Sequence, residues 1–164
     1  MTAVLDASPL CYLILIGEID LLPQVFSKIV VPQAVILELR HEDAPPAVRH
    51  WAIQLPAWVN THDTPEAVLS GMEKLQQGER AAILVAESIE ADIIVIDEKA
   101  ARQIASQRGL SVTGVLGVIG EAASVGLVDL TQVIDRLRKT SFRCSPALFK
   151  ATLERYGRPY RGME

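Results

Sequence analysis

Short apolar runs alternate along this chain with longer stretches in which apolar residues recur every three or four positions, a pattern that predicts strands alternating with helices. Ala3-Val4-Leu5 marks a first strand over about residues 2–6. Ser8 then fits an N-cap, with Pro9 at the first helical position and Leu10, Leu13 and Ile14 on one face. Ile29-Val30-Val31 reads as a second strand closed by Pro32, and residues 33–40 as a helix. The turn Asp43-Ala44-Pro45-Pro46 precedes a helix over 47–54. Trp58-Val59 is a weak third strand, bracketed by Pro56 and Thr61-His62-Asp63. A helix is predicted over 65–76, and Gly78 breaks the pattern before another over 79–90. Ile93 to Ile96 shows no polar alternation, as expected of a strand buried on both faces. A helix over 98–107 stops at Gly109, Ser111-Val112-Thr113 is a last short strand, and a small-residue helix runs over 114–125. Helices over 131–139 and from a Ser145 cap to about Tyr156 complete the pattern. The tail from Gly157 is expected to be mobile.

This alternation argues for a parallel sheet of about five strands covered on both faces. No repeat, low-complexity tract or linker divides the 164 residues, so a single domain is expected. Its core spans about residues 2–125, followed by a basic helical extension over about 127–164. The 49% hydrophobic, 5% aromatic composition predicts an aliphatic core. Cys11 and Cys144 have no metal-finger spacing and suit a reduced, cytoplasmic protein. The longest apolar stretch, Leu10 to Ile16, is too short to span a bilayer, and the N-terminus lacks the basic start of a signal peptide.

The net charge of −4 hides a split. Residues 1–98 carry 5 Lys/Arg against 15 Asp/Glu, whereas residues 99–164 carry 11 against 5. Arg136, Arg138, Lys139 and Arg143 begin the late basic stretch and are candidate RNA contacts. A solvated helical face explains the same charges equally simply.

Four carboxylates need a separate account. Asp6 and Asp97 each end a buried apolar run, Glu38 follows the second strand within two helical turns, and Glu79 shares a helical face with Ala82, Ile83 and Ala86. A carboxylate at the end of a buried strand costs desolvation unless it is capped, paired or bound to a cation. If the first and the Ile93 strands are neighbours at a switch point, Asp6 and Asp97 face one crevice. Glu79 heads a helix that runs back from that same edge. Hard ions such as Mg²⁺ or Mn²⁺ take oxygen ligands of this kind. Three of the acids also have a local alternative: Asp97 as the cap of the following helix, Asp6 as a turn residue, Glu79 as a partner of the helix dipole. His41, His50 and His62 show no ligand spacing and read as surface residues.

The run Val4-Leu5-Asp6-Ala7-Ser8-Pro9-Leu10, the segment Val31-Pro32…Val35…Glu38, the element Gly78-Glu79-Arg80-Ala81-Ala82-Ile83 and the element Ile96-Asp97-Glu98-Lys99-Ala100-Ala101-Arg102 occur in order. Together with Thr113-Gly114-Val115-Leu116-Gly117 they resemble PIN-domain proteins, in particular a longer branch related to the toxins of prokaryotic VapBC-type toxin–antitoxin pairs. The resemblance covers about residues 2–125 and implies a three-layer α/β/α sandwich with metal-dependent endoribonuclease activity. Asp6, Glu38 and Asp97 match the family's metal-binding acids, and Glu79 stands where many members have Asp. Ser8 matches a polar residue near the site, Glu98 is the neighbour that could replace Asp97, and Arg102 and Thr113 are supporting candidates. The resemblance further implies one or two Mg²⁺ or Mn²⁺ ions, an RNA substrate, a cognate antitoxin and a homodimer.

Two other functions compete. The same fold could bind RNA or a partner without turnover. A phosphatase using Asp6 as nucleophile in the manner of haloacid dehalogenases requires a second acid two residues on, where this chain has Ser8.

Overall fold

The computed structural model describes residues 1–67 and 71–157. Five strands, β1 (Thr2–Leu5), β2 (Lys28–Pro32), β3 (Val59–His62), β4 (Ile93–Val95) and β5 (Val112–Thr113), form one sheet in the order β3-β2-β1-β4-β5. Every pairing is parallel. Val4 lies opposite both Val30 and Ile94, so β1 is the centre of the sheet. The chain builds β1, β2 and β3 outward on one side and then returns to build β4 and β5 on the other. The β1–β4 boundary is therefore the switch point.

The period of two along β1 separates two cores. Ala3 and Leu5 face one apolar cluster with Ile29, Val31 and Val95, whereas Val4 faces the other with Val30 and Ile94. The first cluster is covered by α1 (Ala7–Leu15), α2 (Leu22–Val25), α3 (Gln33–Leu39), α4 (Pro46–Ile53) and α7 (Val115–Ser124). The second is covered by α5 (Gln77–Ser88) and α6 (Lys99–Gln107). The result is a three-layer α/β/α sandwich. In the expected extension, α8 (Leu130–Arg138) and α9 (Pro146–Tyr156) add Val133, Ile134, Leu137 and Phe149 to the first cluster. The α7–α9 contact is close because Gly120 has no Cβ; one there would overlap the ring of Tyr156. Among the described residues no single helix is long and apolar enough to cross a membrane.

The structure corrects three expectations. No helix forms over 65–76 among the described residues; positions 68–70 lie outside them. Gly71 adopts φ +85°, a left-handed conformation that breaks a helix, and Met72 and Leu75 are buried by a turn instead. β3 extends from Val59 through His62, taking in Thr61 and His62, which the sequence pattern places beyond the end of the strand. As an edge strand it is largely exposed, so hydrophobic patterning does not reveal it. Asp6, not Ser8, is the N-cap of α1, which places Ser8 at the second helical position on the surface. A 3-10 turn at Ile19–Leu21 and the four-residue α2 had no sequence signal of their own. The tail beyond Gly157, with Arg158 and Arg161 of the basic stretch, lies outside the described residues.

Candidate functional site

β1 carries Asp6 to the carboxyl edge of the sheet, where its amide donates to the Val95 carbonyl at 3.1 Å. Although Asp6 occupies the N-cap position, its side chain makes no capping hydrogen bond. Ala7, Ser8 and Pro9 are the first three helical residues, and the proline has no amide to offer at the position a cap most often engages. The carboxyl is only 4% exposed. Burial pushes its pKa up to about 7; the Ala7 amide opposes this, and the nearby Glu38, Glu79 and Asp97 reinforce it. The Ala7 amide thus offsets only part of the cost of burying the Asp6 carboxylate.

Glu79 is the third residue of α5. Its Oε1 accepts from the Gln76 amide at 3.3 Å and, with the Gln76 side chain accepting from the Glu79 amide, completes a capping box. Its Oε2 is buried and has no hydrogen-bond partner. The local and the functional interpretations of Glu79 therefore fall on different oxygens of one carboxylate. Burial raises its pKa, assisted by Glu98 and Glu38.

Glu38 is the penultimate residue of α3, the end at which the helix dipole disfavours a negative charge. Its Oε2 rests against the backbone of Gly78. A Cβ at Gly78 would overlap that oxygen and lie 3.5 Å from Asp6 Oδ1. Gly78 thus lets α5 approach two carboxylates at once. Desolvation raises the Glu38 pKa as well.

Asp6, Glu38, Glu79 and Glu98 line one cleft of about 270 Å³, together with Ser8 and Gln76. Asp97 does not line it. Its carboxylate accepts from the Val115 amide, at 3.1 Å to Oδ1 and 3.4 Å to Oδ2, and so caps α7 rather than the helix that follows it in sequence. That following helix, α6, is capped by Glu98, which accepts from Ala100 at 3.4 Å. Burial lifts the Asp97 pKa to about 6, against the pull of the Val115 amide and Arg102. Gly114 makes room here: a Cβ would overlap Asp97 Oδ1 and lie 2.8 Å from Arg102 Nη1. Arg102 also donates to the Ile96 carbonyl at 3.0 Å.

Asp97, Arg102 and Thr113 open instead onto an adjoining groove of about 640 Å³, which Arg143 also lines. Arg136 is engaged within the protein, donating at 2.6 Å to both the Ile16 carbonyl and Glu18 Oε1. Arg138 lies 4.5 Å from the centroid of the Phe149 ring. Lys139 is exposed at the end of α8. Lys74, Gln76 and Gly78 were not singled out from sequence, yet they surround the acids. Gln76-x-x-Glu79 has capping-box spacing, but glutamine is an uncommon N-cap and masks the signal.

The family model described as DUF3368: PIN domain matches residues 2–158. The chain belongs to the PIN-domain family. Among solved structures, this PIN domain is similar to a PilT N-terminus domain protein from the hyperthermophilic archaeon Sulfolobus solfataricus P2. The two share 15% identity at a TM-score of 0.48, covering 88% of this chain and 100% of the other. A comparison with curated proteins finds no match.

PIN domains are generally nucleases and typically use divalent metals. The donor chemistry of this PIN domain suits such an ion: oxygen ligands only, a buried carboxyl with a raised pKa, and one buried carboxylate oxygen without a partner on Glu79, a residue that lines the same cleft. Among the described residues, however, no three acidic, histidine or cysteine side chains are gathered closely enough to hold an ion. Asp6 is the common neighbour of the others, and Asp97 stands to one side.

Proposed function

We propose that this PIN domain is a divalent-metal-dependent endoribonuclease that hydrolyses RNA phosphodiester bonds. The observation that carries the reading is the buried Asp6 residue, whose carboxyl burial holds at a raised pKa beside Glu38 and Glu79, in a cleft lined by all three, where Glu79 also keeps one buried oxygen without a partner. Asp6, Glu38 and Glu79 would hold Mg²⁺ or Mn²⁺, with Asp97 as a ligand reached from the adjoining groove. The chemistry such a cation supplies when bound is activation of water and neutralisation of charge on the phosphodiester. The protein's own groups orient the site. Gln76 fixes one Glu79 oxygen and leaves the other without a partner, and the Val115 amide holds Asp97. Glu98, spent partly on capping α6, adds negative potential at the rim.

Purified protein is expected to cleave RNA with Mg²⁺ or Mn²⁺ and to stop in EDTA. Asp6→Asn and Asp97→Asn should each lower the rate by about 10²–10³-fold, the scale of several kcal/mol of lost charge stabilisation. Full activity in both variants would sink the mechanism.

A second reading has one observation in its favour, the separation of the acids beyond the distances that hold an ion. It describes a PIN domain that binds RNA or a protein partner without turnover. Such a protein would bind RNA with a steep salt dependence and leave it intact in every metal tested.

The toxin role belongs to the same proposal. It implies a cytoplasmic protein with a cognate antitoxin and a homodimeric state. The exposed Leu37 on α3 and Ile53 on α4 are apolar positions that a partner could cover. A small open reading frame directly upstream would identify the antitoxin candidate, and co-purification would test it.

A further inference from the structure

Two hollows of opposite sign adjoin at the start of α6. Glu98 and Ala100 line the acidic cleft, while Lys99, between them in sequence, lines the larger groove. That groove of about 640 Å³ carries four cations, Lys99, Arg102, Arg143 and Arg155, against the single carboxylate of Asp97. Among the described residues none of the four is ion-paired. One Arg143 nitrogen donates to the carbonyls of Thr140 and Phe142, at 3.2 and 3.1 Å, which anchors the guanidinium and leaves its other donors over the groove. Arg155 lies 5.1 Å from the centroid of the Tyr156 ring, and that ring also lines the groove.

The groove exists only because of the C-terminal helices. One wall is α9 with the segment before it; the other is β5 and the first turns of α6 and α7. Both of those helices begin at the groove and add the positive ends of their dipoles to it. The late basic stretch therefore does not act as a uniform surface. Arg136 is consumed by Glu18, and Lys150, although on α9, does not line the groove.

We propose that this groove binds the single-stranded RNA segment that flanks the scissile bond, so that the strand passes Asp97 and enters the acidic cleft. The proposal rests on the nuclease reading for its choice of ligand. Phosphates match the four cations, the electrostatic part of what single-strand grooves use, and Tyr156 and Thr113 line the same groove. An acidic peptide would meet the same cations; RNA is favoured because the adjoining acidic cleft is read as the phosphodiester-cleaving site.

The test is binding of a fluorescent single-stranded RNA oligomer to the full chain in EDTA, across a range of salt. Arg143→Gln/Arg155→Gln should weaken binding on the order of tenfold and reduce the slope of log K against log salt by about 1.4, two phosphates' worth for a single strand. Lys28→Gln/Lys150→Gln, which removes the same charge away from the groove, should leave both unchanged. Because Arg143 also anchors backbone carbonyls, Lys99→Gln and Arg155→Gln are measured singly, and each should lower the slope by about 0.7. Wild-type binding by the groove variants, an equal loss in the control, duplex binding as tight as single-strand binding, or equal competition by polyglutamate would each overturn the proposal. The nuclease reading fails separately. If the groove variants lose RNA yet the wild type cleaves nothing with Mg²⁺ or Mn²⁺, the groove stands without the activity. If the wild type cleaves and the groove variants bind and cleave equally well, the activity stands without the groove.

Discussion

At the scale of single residues, Glu79 performs two separable jobs. One oxygen closes the capping box of α5, and the other is buried without a partner. Glutamine serves in a capping box as well as glutamate does, but it is a poorer cation ligand. Glu79→Gln should therefore keep the melting temperature of the metal-free protein while losing most of the stabilisation by Mn²⁺. Glu79→Ala should lose both, with a stability cost of about 1 kcal/mol for the cap. Calorimetry with and without Mn²⁺ separates the two variants; equal Mn²⁺ shifts in wild type and Glu79→Gln would show that the orphan oxygen holds no cation. Sequence placed Glu79 on a buried helical face but could not divide its two oxygens, because the division depends on Gln76. Arg136 shows the opposite limit. In sequence it is one of a run of cations, and only the approach of Glu18, far away along the chain, gives it a structural task.

At the scale of elements, Gly78 concentrates the tension between stability and site geometry. Near the start of α5, glycine costs about 0.5–1 kcal/mol relative to alanine. The added methyl of Gly78→Ala would meet the end of a flexible side chain, Glu38, which can swing outward. The substitution should leave the metal-free protein as stable or raise its melting point, yet weaken Mn²⁺ binding because Glu38 no longer faces Asp6. A loss of stability with unchanged Mn²⁺ response would contradict this account of the close approach. Gly78 was legible in sequence as a break between helices and as the first residue of a family-like element, but not as a contact of two carboxylates. The strands β1, β2 and β4 were legible because each is a continuous apolar run, and the order of motifs revealed the shared edge. The failures have local causes. Gly71 divided a stretch whose apolar spacing imitates a helix, Pro9 left Asp6 rather than Ser8 at the start of α1, and β3 lies at an edge where polar residues are tolerated. Asp97 was placed correctly at the end of its strand, but its partner is an amide of α7, 18 residues later, which no local pattern encodes.

At the scale of the molecule, the acidic edge makes folding and cation binding depend on pH together. Asp6, with a folded pKa of about 7, and Asp97, at about 6, both lie above the 3.8 of an ordinary aspartate. Between about pH 4 and 7 the native state therefore holds protons that the unfolded chain releases. Stability contributed by these groups is fully present below about pH 4 and is lost as pH rises through 6 and 7. The direction is opposite to acid denaturation driven by salt-bridged carboxylates. For the buried Asp6 alone, the shift corresponds to about 4 kcal/mol between the two ends of that window. A divalent cation requires ionised ligands and so reverses the trend. At a hundredfold excess over its dissociation constant it adds about 2.7 kcal/mol, or roughly 5–10 °C in a domain of this size. The metal-free protein should thus melt higher at pH 5.5 than at pH 8, and Mn²⁺ should raise the melting point more at pH 8 than at pH 5.5. Asp6→Asn, which cannot ionise, should reduce the pH dependence to the smaller part that Asp97 contributes, melt higher than wild type at pH 8 without metal, and lose the Mn²⁺ response. Those three changes are linked through one carboxyl. A variant that retained the pH slope would place the protons elsewhere, and one that retained the Mn²⁺ shift would place the cation away from the switch point between β1 and β4.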